Sequence, residues 1–385
     1  MDNQSNDKYL KGIRGALYFF AALACLAILK ICSSMILPLV IAGFIFVFVN
    51  PLLNKLDSLR VPKWLSTIVV LLIVVLFFVL CIITFFSMVN MLIKEMPFYY
   101  MRIRTLDDYI TKILSKASHF VSAKFDTDAF EFLANGSESS SFSILSWLSG
   151  DGYSMILSSL TGLTSKFISI IGTCMLVFLY LLFLMLERQT IMPKAVSSLP
   201  YEKALQLSSV VSGITKQISR YLGFKALISF FTGVLFYVAA ALFGLNFPLV
   251  WGVLAFLLNF IPTIGSIVIT VAGIFMAVLQ FIPQWSTVIY IAISFIAIEM
   301  VLGNIIDPKI QGVKLNLSPF LILVSLAIWN YIWGPIGMFL AVPLTSIIQI
   351  VCASIPSLKS IAIMLSTGSA SVDKKSKNHD DSSYE

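Results

Sequence analysis

Apolar residues in this chain fall in long uninterrupted blocks, not in the short alternations of a water-soluble fold. Residues 65–93, 167–186, 226–298 and 315–358 contain no Asp, Glu, Lys or Arg. A spanning helix needs about 20 apolar residues, so these blocks predict several spans. Two further apolar stretches, 13–32 and 35–54, read as a helical hairpin with Pro38 near its turn, and Lys55, Arg60 and Lys63 follow it. The third span, 65–93, is long enough to tilt or to project beyond the hydrocarbon. The expected fold is an all-α integral membrane protein of about eight transmembrane helices, with broken or re-entrant segments in its C-terminal half.

The polar stretches divide the chain. Residues 1–93 hold the first three helices. In 94–165 six bases are outnumbered by eight acids, and Asn135–Ser141 has loop composition, so this segment is expected to form a small helical domain outside the membrane. A C-terminal transport domain of helices covers 166–365, and a polar tail, 366–385, is expected to be disordered. Inside the transport domain, 187–223 is basic, and Leu207, Val210, Val211, Ile214, Ile218, Tyr221 and Leu222 recur at helical spacing. Such a face fits a helix lying on the membrane surface and equally one packed on the bundle. Lys and Arg concentrate in 1–12, 55–64 and 187–225, which the positive-inside rule assigns, with the C-terminus, to the cytoplasm.

Composition reinforces the pattern: 58% of residues are hydrophobic and 12% charged, against about 25% charged in a soluble domain. The net charge of +7 therefore reads as membrane orientation, and nucleic acid is not an expected partner. The five cysteines lie within or beside apolar blocks without a CxxC pair, so no disulfide framework or zinc site is expected. Both histidines, His119 and His379, fall outside the spans, and no HExxH, nucleophile elbow or P-loop occurs. Neither enzyme chemistry nor a cofactor is expected.

The C-terminal half carries the candidate chemistry. Between Lys225 and Glu299 lie 73 uncharged residues, interrupted by Asn259-Phe-Ile-Pro-Thr-Ile-Gly265. Proline breaks the helical ladder, and broken helix inside a membrane is tolerated only where protein buries it or a watery cavity borders it. Interrupted apolar segments are the best sequence pointer to a transporter's binding site, although a kink or a short connecting turn gives the same pattern. The pattern recurs at Trp333-Gly-Pro-Ile-Gly337, with Pro343 following. Glu299 is the acid deepest in this region. An ionised carboxylate at the bilayer centre costs about 2.5–3.5 kcal/mol on insertion scales, so such an acid is paired or carries a proton or cation, unless it anchors the end of a span. Lys225 and Arg220 are its candidate partners.

Several of these segments, Leu199-Pro200, Ser219-Arg-Tyr-Leu222, Leu242-Phe-Gly244, Asn259–Gly265, Gly303-Asn304, Asp307-Pro308, Leu317-Ser-Pro319 and Trp333–Met338 through Ala341-Val-Pro343, together resemble the autoinducer-2 exporter family of bacterial permeases. The likeness covers roughly 195–350 at specific motifs. It implies a multi-pass transporter of the bacterial cytoplasmic (inner) membrane without an ATPase domain, linked to export of a furanone signal or to exchange of sodium or lithium against protons. The candidate pathway residues are Glu299, Asn259, Pro262, Gly265, Asn304, Asp307 and Arg220. Thr263 replaces a common aromatic, Ser266 replaces a usual proline, and the polar pattern around Gly223-Phe224-Lys225 is shifted, so the substrate is not carried over with the fold. Three readings follow. One is a permease exporting a small solute, another a monovalent-cation/proton antiporter, and the last a non-coupled channel or scaffold. Partners beyond the bilayer are the transported small molecule or monovalent cation and further copies of the chain in a homo-oligomer, since Ser229/Gly233 and Ala240/Gly244 have small-xxx-small spacing.

Overall fold

A computed structural model describes residues 23–122, 153–307, 317–355 and 358–366, together with 13, 17, 20 and 21. The Asn135–Ser141 loop and nearly all of the tail lie outside the described residues, as do parts of the first apolar stretch. The described chain is helical throughout. Its elements are α1 (Ser33–Ser58), α2 (Lys63–Ser122), α3 (Tyr153–Ser197), α4 (Tyr201–Leu242), α5 (Pro248–Leu258), α6 (Ile264–Phe281), α7 (Trp285–Glu299), a π-helical turn (Met300–Ile306), α8 (Pro319–Ser354) and α9 (Lys359–Leu365). Among the described residues seven helical segments are long and apolar enough to cross a membrane, and α5 is a shorter apolar helix. Leu72, Phe77, Leu80 and Ile83 of α2 are each more than half exposed, as a lipid-facing surface should be.

Contacts within the chain divide it into two units. The first comprises Met1–Ile73, Thr173–Lys225 and Ile310–Glu385, the second Val74–Gly172 and Ala226–Lys309. In the first, residues 23–31 are helical and meet α1 at Cys32, not at Pro38, which sits inside α1. Bonds of helical spacing cross this junction, from Cys32 N to the Ile28 carbonyl and from Ile36 N to the Cys32 carbonyl. The apolar face of the basic segment is covered by protein: Ile218, Tyr221 and Leu222 pack with Phe44 of α1 and Leu340 and Val342 of α8. Arg188 pairs with Asp57, and Lys63 Nζ donates to Gln189 Oε1 at 2.6 Å.

Helix α8 doubles back. Gly334 has φ 65 and ψ −150, a region that favours glycine. Trp329 Nε1 donates to Thr345 Oγ1 at 3.3 Å, yet sixteen residues of straight helix would hold them about 24 Å apart. This stretch, which by length and composition counts as one span, is therefore a helical hairpin with its tip at Gly334. The tip is held by Trp333 Nε1, which donates to the Leu29 carbonyl at 3.1 Å, and by Lys30 Nζ, 3.2 Å above the Tyr331 ring.

The second unit contains a similar reversal. Helix α5 has 11 residues, about 16 Å, too short for a hydrocarbon core of about 30 Å. It turns through 259–263 into α6, and the Gly265 backbone then lies so close to the Leu258 carbonyl that any side chain at 265 would collide with it. Phe236 of α4 and Phe295 of α7 pack with tilted rings, 4.4 Å between ring centres, in a core with Trp251, Ile269 and Ile291.

Candidate functional site

At the end of the second unit where α4 finishes and α7 starts, the connections are tied together. Gln280 accepts from Asn246 N and donates to the Gly244 carbonyl, both at 2.7 Å, while Asn246 Nδ2 donates to the Tyr99 hydroxyl at 2.7 Å. Arg102 Nη1 reaches the Ile282 carbonyl at 3.3 Å. Burial raises the Tyr99 phenol above its ordinary value and nearby Glu95 adds to this, while the Asn246 bond lowers it. The phenol stays neutral at physiological pH, and the collar keeps its bonds there.

Below this collar the buried side chains are apolar until one depth, where polar side chains are buried as well. Ser229 and Thr232 of α4 are buried, as are Asn259 at the end of α5 and Glu299 at the end of α7. Thr270 of α6 is half-buried as a residue, with its hydroxyl oxygen inside the protein. About 15 to 21 Å of helix separates Ser229, Thr232, Thr270 and Glu299 from the collar ends at Leu242, Phe281 and Trp285, and the length of α5 brings Asn259 to the same depth. Asn259 Nδ2 donates to Ser229 Oγ at 3.0 Å, and Thr232 Oγ1 donates to the Ile228 carbonyl at 3.0 Å. Every oxygen in this layer belongs to a hydroxyl, an amide or a carboxyl, groups that recognise polar solutes, protons or hard cations.

Local sequence explains the placement. Thr263 adopts φ 60 and ψ −52, and Ile264 N donates to the Pro262 carbonyl at 2.6 Å. That is the geometry of the rare γ-turn, and a positive φ is costly for a β-branched residue. The turn reverses the chain in few residues and leaves Asn259 facing α4. Beyond Glu299 the helix widens into the π-helical turn, a feature frequent at functional sites. Gly303 lies under the carboxyl, where a β-carbon would meet Glu299 Oε2 at 3.4 Å.

The structure thus brings Asn259, Pro262 and Gly265 together at the hairpin tip and sets Glu299 at the same depth. Asn304 is exposed on the π-helical turn, and Asp307 is half-buried at its end. Arg220 belongs to the first unit and is exposed. Sequence reasoning missed Ser229, Thr232 and Thr270 as site residues. The first two are hydroxyls three apart inside an apolar block, a signal that was available. Lys225, four residues before Ser229 on the same face of α4, is also buried.

The first unit has its own buried polar cluster around the α8 hairpin. Thr345 accepts from Trp329, Gln217 Nε2 donates to Ser346 Oγ at 3.1 Å, and Ser325 and Gln349 are buried nearby in the sequence of the same two arms. It carries no formal charge.

Comparison with known proteins matches this architecture to a transporter. A sequence profile described as "AI-2E family transporter" matches residues 17–357. AI-2 transport protein TqsA of Escherichia coli strain K12 is 29% identical over 363 residues, 93% of this chain and 96% of that protein. A Borreliella burgdorferi protein provisionally named for transport is 30% identical over 337 residues, 87% of this chain and 86% of its own length. YhhT of Escherichia coli, named in the same provisional way, is 39% identical over 153 residues, 40% of this chain and 43% of that protein. The profile spans most of the chain, including both hairpins and the polar layer, and these are transport proteins rather than enzymes. The chain belongs to the AI-2E transporter family.

Proposed function

We propose that this chain is a secondary exporter of a small polar solute or signalling molecule, similar in task to AI-2 transport protein TqsA. The observation that carries the reading is the polar layer in the second unit. Buried polar groups inside a membrane are expensive and mark substrate or ion routes, and here a helical hairpin brings Asn259 to that depth. Asn259, Pro262 and Gly265 form the solute end of the route, with Asn304 and Asp307 as further members. No nucleotide-binding motif supplies energy, so a gradient drives transport.

A second reading within the same fold is exchange of Na⁺ or Li⁺ for protons. It is favoured by the burial of Glu299, 9% exposed, beside the π-helical turn, since a carboxyl held there can trade its proton for a cation. A channel or scaffold without coupling has no such need for an acid. The termini belong in the cytoplasm and 94–165 outside it, in the cytoplasmic membrane of a bacterium, and the working form is a homo-oligomer. Flux in reconstituted vesicles decides among the readings. Autoinducer-2-type furanones, Na⁺ and Li⁺ are each offered with and without a pH gradient. Gradient-driven furanone efflux supports the exporter, alkali-cation exchange supports the antiporter, and flux indifferent to the gradient leaves the channel.

A further inference from the structure

The open end of the α5–α6 hairpin, where α5 starts at Pro248 and α6 ends at Phe281, is held by α2. Met88 and Tyr99 of α2 pack with Phe247, Val250 and Leu279, so one face of that helix covers the base of both arms. Two side chains one turn apart then add polar ties, one to each connection. The Tyr99 hydroxyl accepts from Asn246 Nδ2 at 2.7 Å, just before α5, and Arg102 Nη1 donates to the Ile282 carbonyl at 3.3 Å, just after α6. Both residues lie beyond the apolar part of α2, which by length and composition ends at Glu95.

The connection before α5 is strained. Phe247 has φ 61 and ψ 49, a left-handed conformation that is costly for a bulky residue. Such a residue persists only where its surroundings over-determine it, and these positions cluster at ligand clamps and switch regions. Here the surroundings are identifiable. The Phe247 ring lies 6.1 Å from the Tyr99 ring between centres. Asn246 is pinned at three points: its N–H by Gln280, its side-chain amide by Tyr99, and its carbonyl by Trp251 Nε1. Of these partners, Tyr99 alone comes from outside the run of α4 to α7. Losing it loosens the strained connection while the hairpin keeps its own bonds.

We propose that the Phe98–Arg102 turn of α2 is a strap across the open end of the hairpin, whose release lets the arms shift and admits water and solute to the polar layer. Helix α5 is a rod of 11 residues, about 16 Å long. The strap holds its first end, and Asn259 stands at the other. A shift at Asn246 is therefore delivered to the bond between Asn259 and Ser229. On the reading of the polar layer as the transport route, the part of α2 beyond its span controls access to that route.

The test follows amide hydrogen exchange in the full chain in lipid vesicles, where the rate at a protected amide scales with its local opening equilibrium. Tyr99→Phe keeps the ring and removes the hydroxyl. It is expected to raise exchange across 245–265 about fivefold, the scale of one hydrogen bond. Asn246→Ala removes the same bond from its other side and is expected to match that rise. The double variant should exceed neither, since both changes delete one interaction. Amides of α8, in the first unit, are the control and should keep their wild-type rates. Efflux of Na⁺, Li⁺ or an autoinducer-2-type furanone, whichever the wild type carries, is expected to rise by a similar factor as the open population grows. Unchanged exchange across 245–265 in Tyr99→Phe overturns the strap. So does a rise shared equally by α8, which makes the bond part of overall stability, or a double variant in which the two effects add. A local rise with unchanged efflux overturns the control of transport. A wild type that carries none of the three probes overturns the transport reading instead, and exchange alone then decides the strap.

Discussion

Asn259 and Ser229 share a hydrogen bond between two buried side chains, so removing either side chain has two separable effects. Asn259→Ala leaves the Ser229 hydroxyl without its donor, and stability is expected to fall by about 1–2 kcal/mol, read from melting in detergent. Adding Ser229→Ala removes the stranded group and should return most of that stability. Transport is expected to stay at about a tenth of wild type or less in both variants if the amide serves the solute. Recovery of transport together with stability in the double variant would make the pair structural. Glu299 answers a different question. Glu299→Gln is expected to give a folded protein whose residual flux no longer varies across about pH 6–8. Wild-type pH dependence in that variant would remove the main support for proton-coupled exchange.

The reversal between α5 and α6, not a straight span, is what sets Asn259 against α4. A side chain at residue 265 has nowhere to go but into the Leu258 carbonyl. Gly265→Val is therefore expected to destabilise by about 3 kcal/mol or to prevent folding, beyond an ordinary overpacking cost, and Gly265→Ala should show a smaller drop in melting temperature. The α8 reversal is tested by Trp329→Cys with Thr345→Cys. A short bismaleimide should bridge the pair in the folded protein, and failure to bridge would favour a continuous helix. The break at Asn259–Gly265 was legible because proline and glycine interrupt an apolar run. Its outcome, reversal instead of a kink, was not, since the same residues serve both and only contacts between the arms decide. The junction at Cys32 falls where the apolar stretches 13–32 and 35–54 part, yet helical bonds cross it and no hairpin turn forms there. Proline is tolerated near a helix start, so Pro38 marked the wrong place. Thr270 left no periodic or charge signal.

At the scale of the whole chain, apolar block lengths were enough to read an all-helical membrane protein. The division into two units was not readable, because each unit is assembled from separated stretches and α2, α3 and α4 contribute to both. Orientation is tested from outside the cell. A membrane-impermeant maleimide is expected to label Ser139→Cys in intact cells and to leave Ser376→Cys unlabelled until the membrane is opened. Labelling of Ser376→Cys in intact cells would reverse the assigned topology.

Helix α2 is 60 residues long, about 90 Å, roughly three times the thickness of the hydrocarbon it has to cross. That length leaves much of it beyond any single crossing, and Lys112 and Lys116 near its far end are exposed. A protease that reaches only the far end could cut this helix there without touching its apolar part. Trypsin applied from the outer face is expected to produce two membrane-embedded fragments that still co-purify. Flux through such a nicked protein would reveal whether the far half of α2 belongs to the transport machinery or to contacts with another partner.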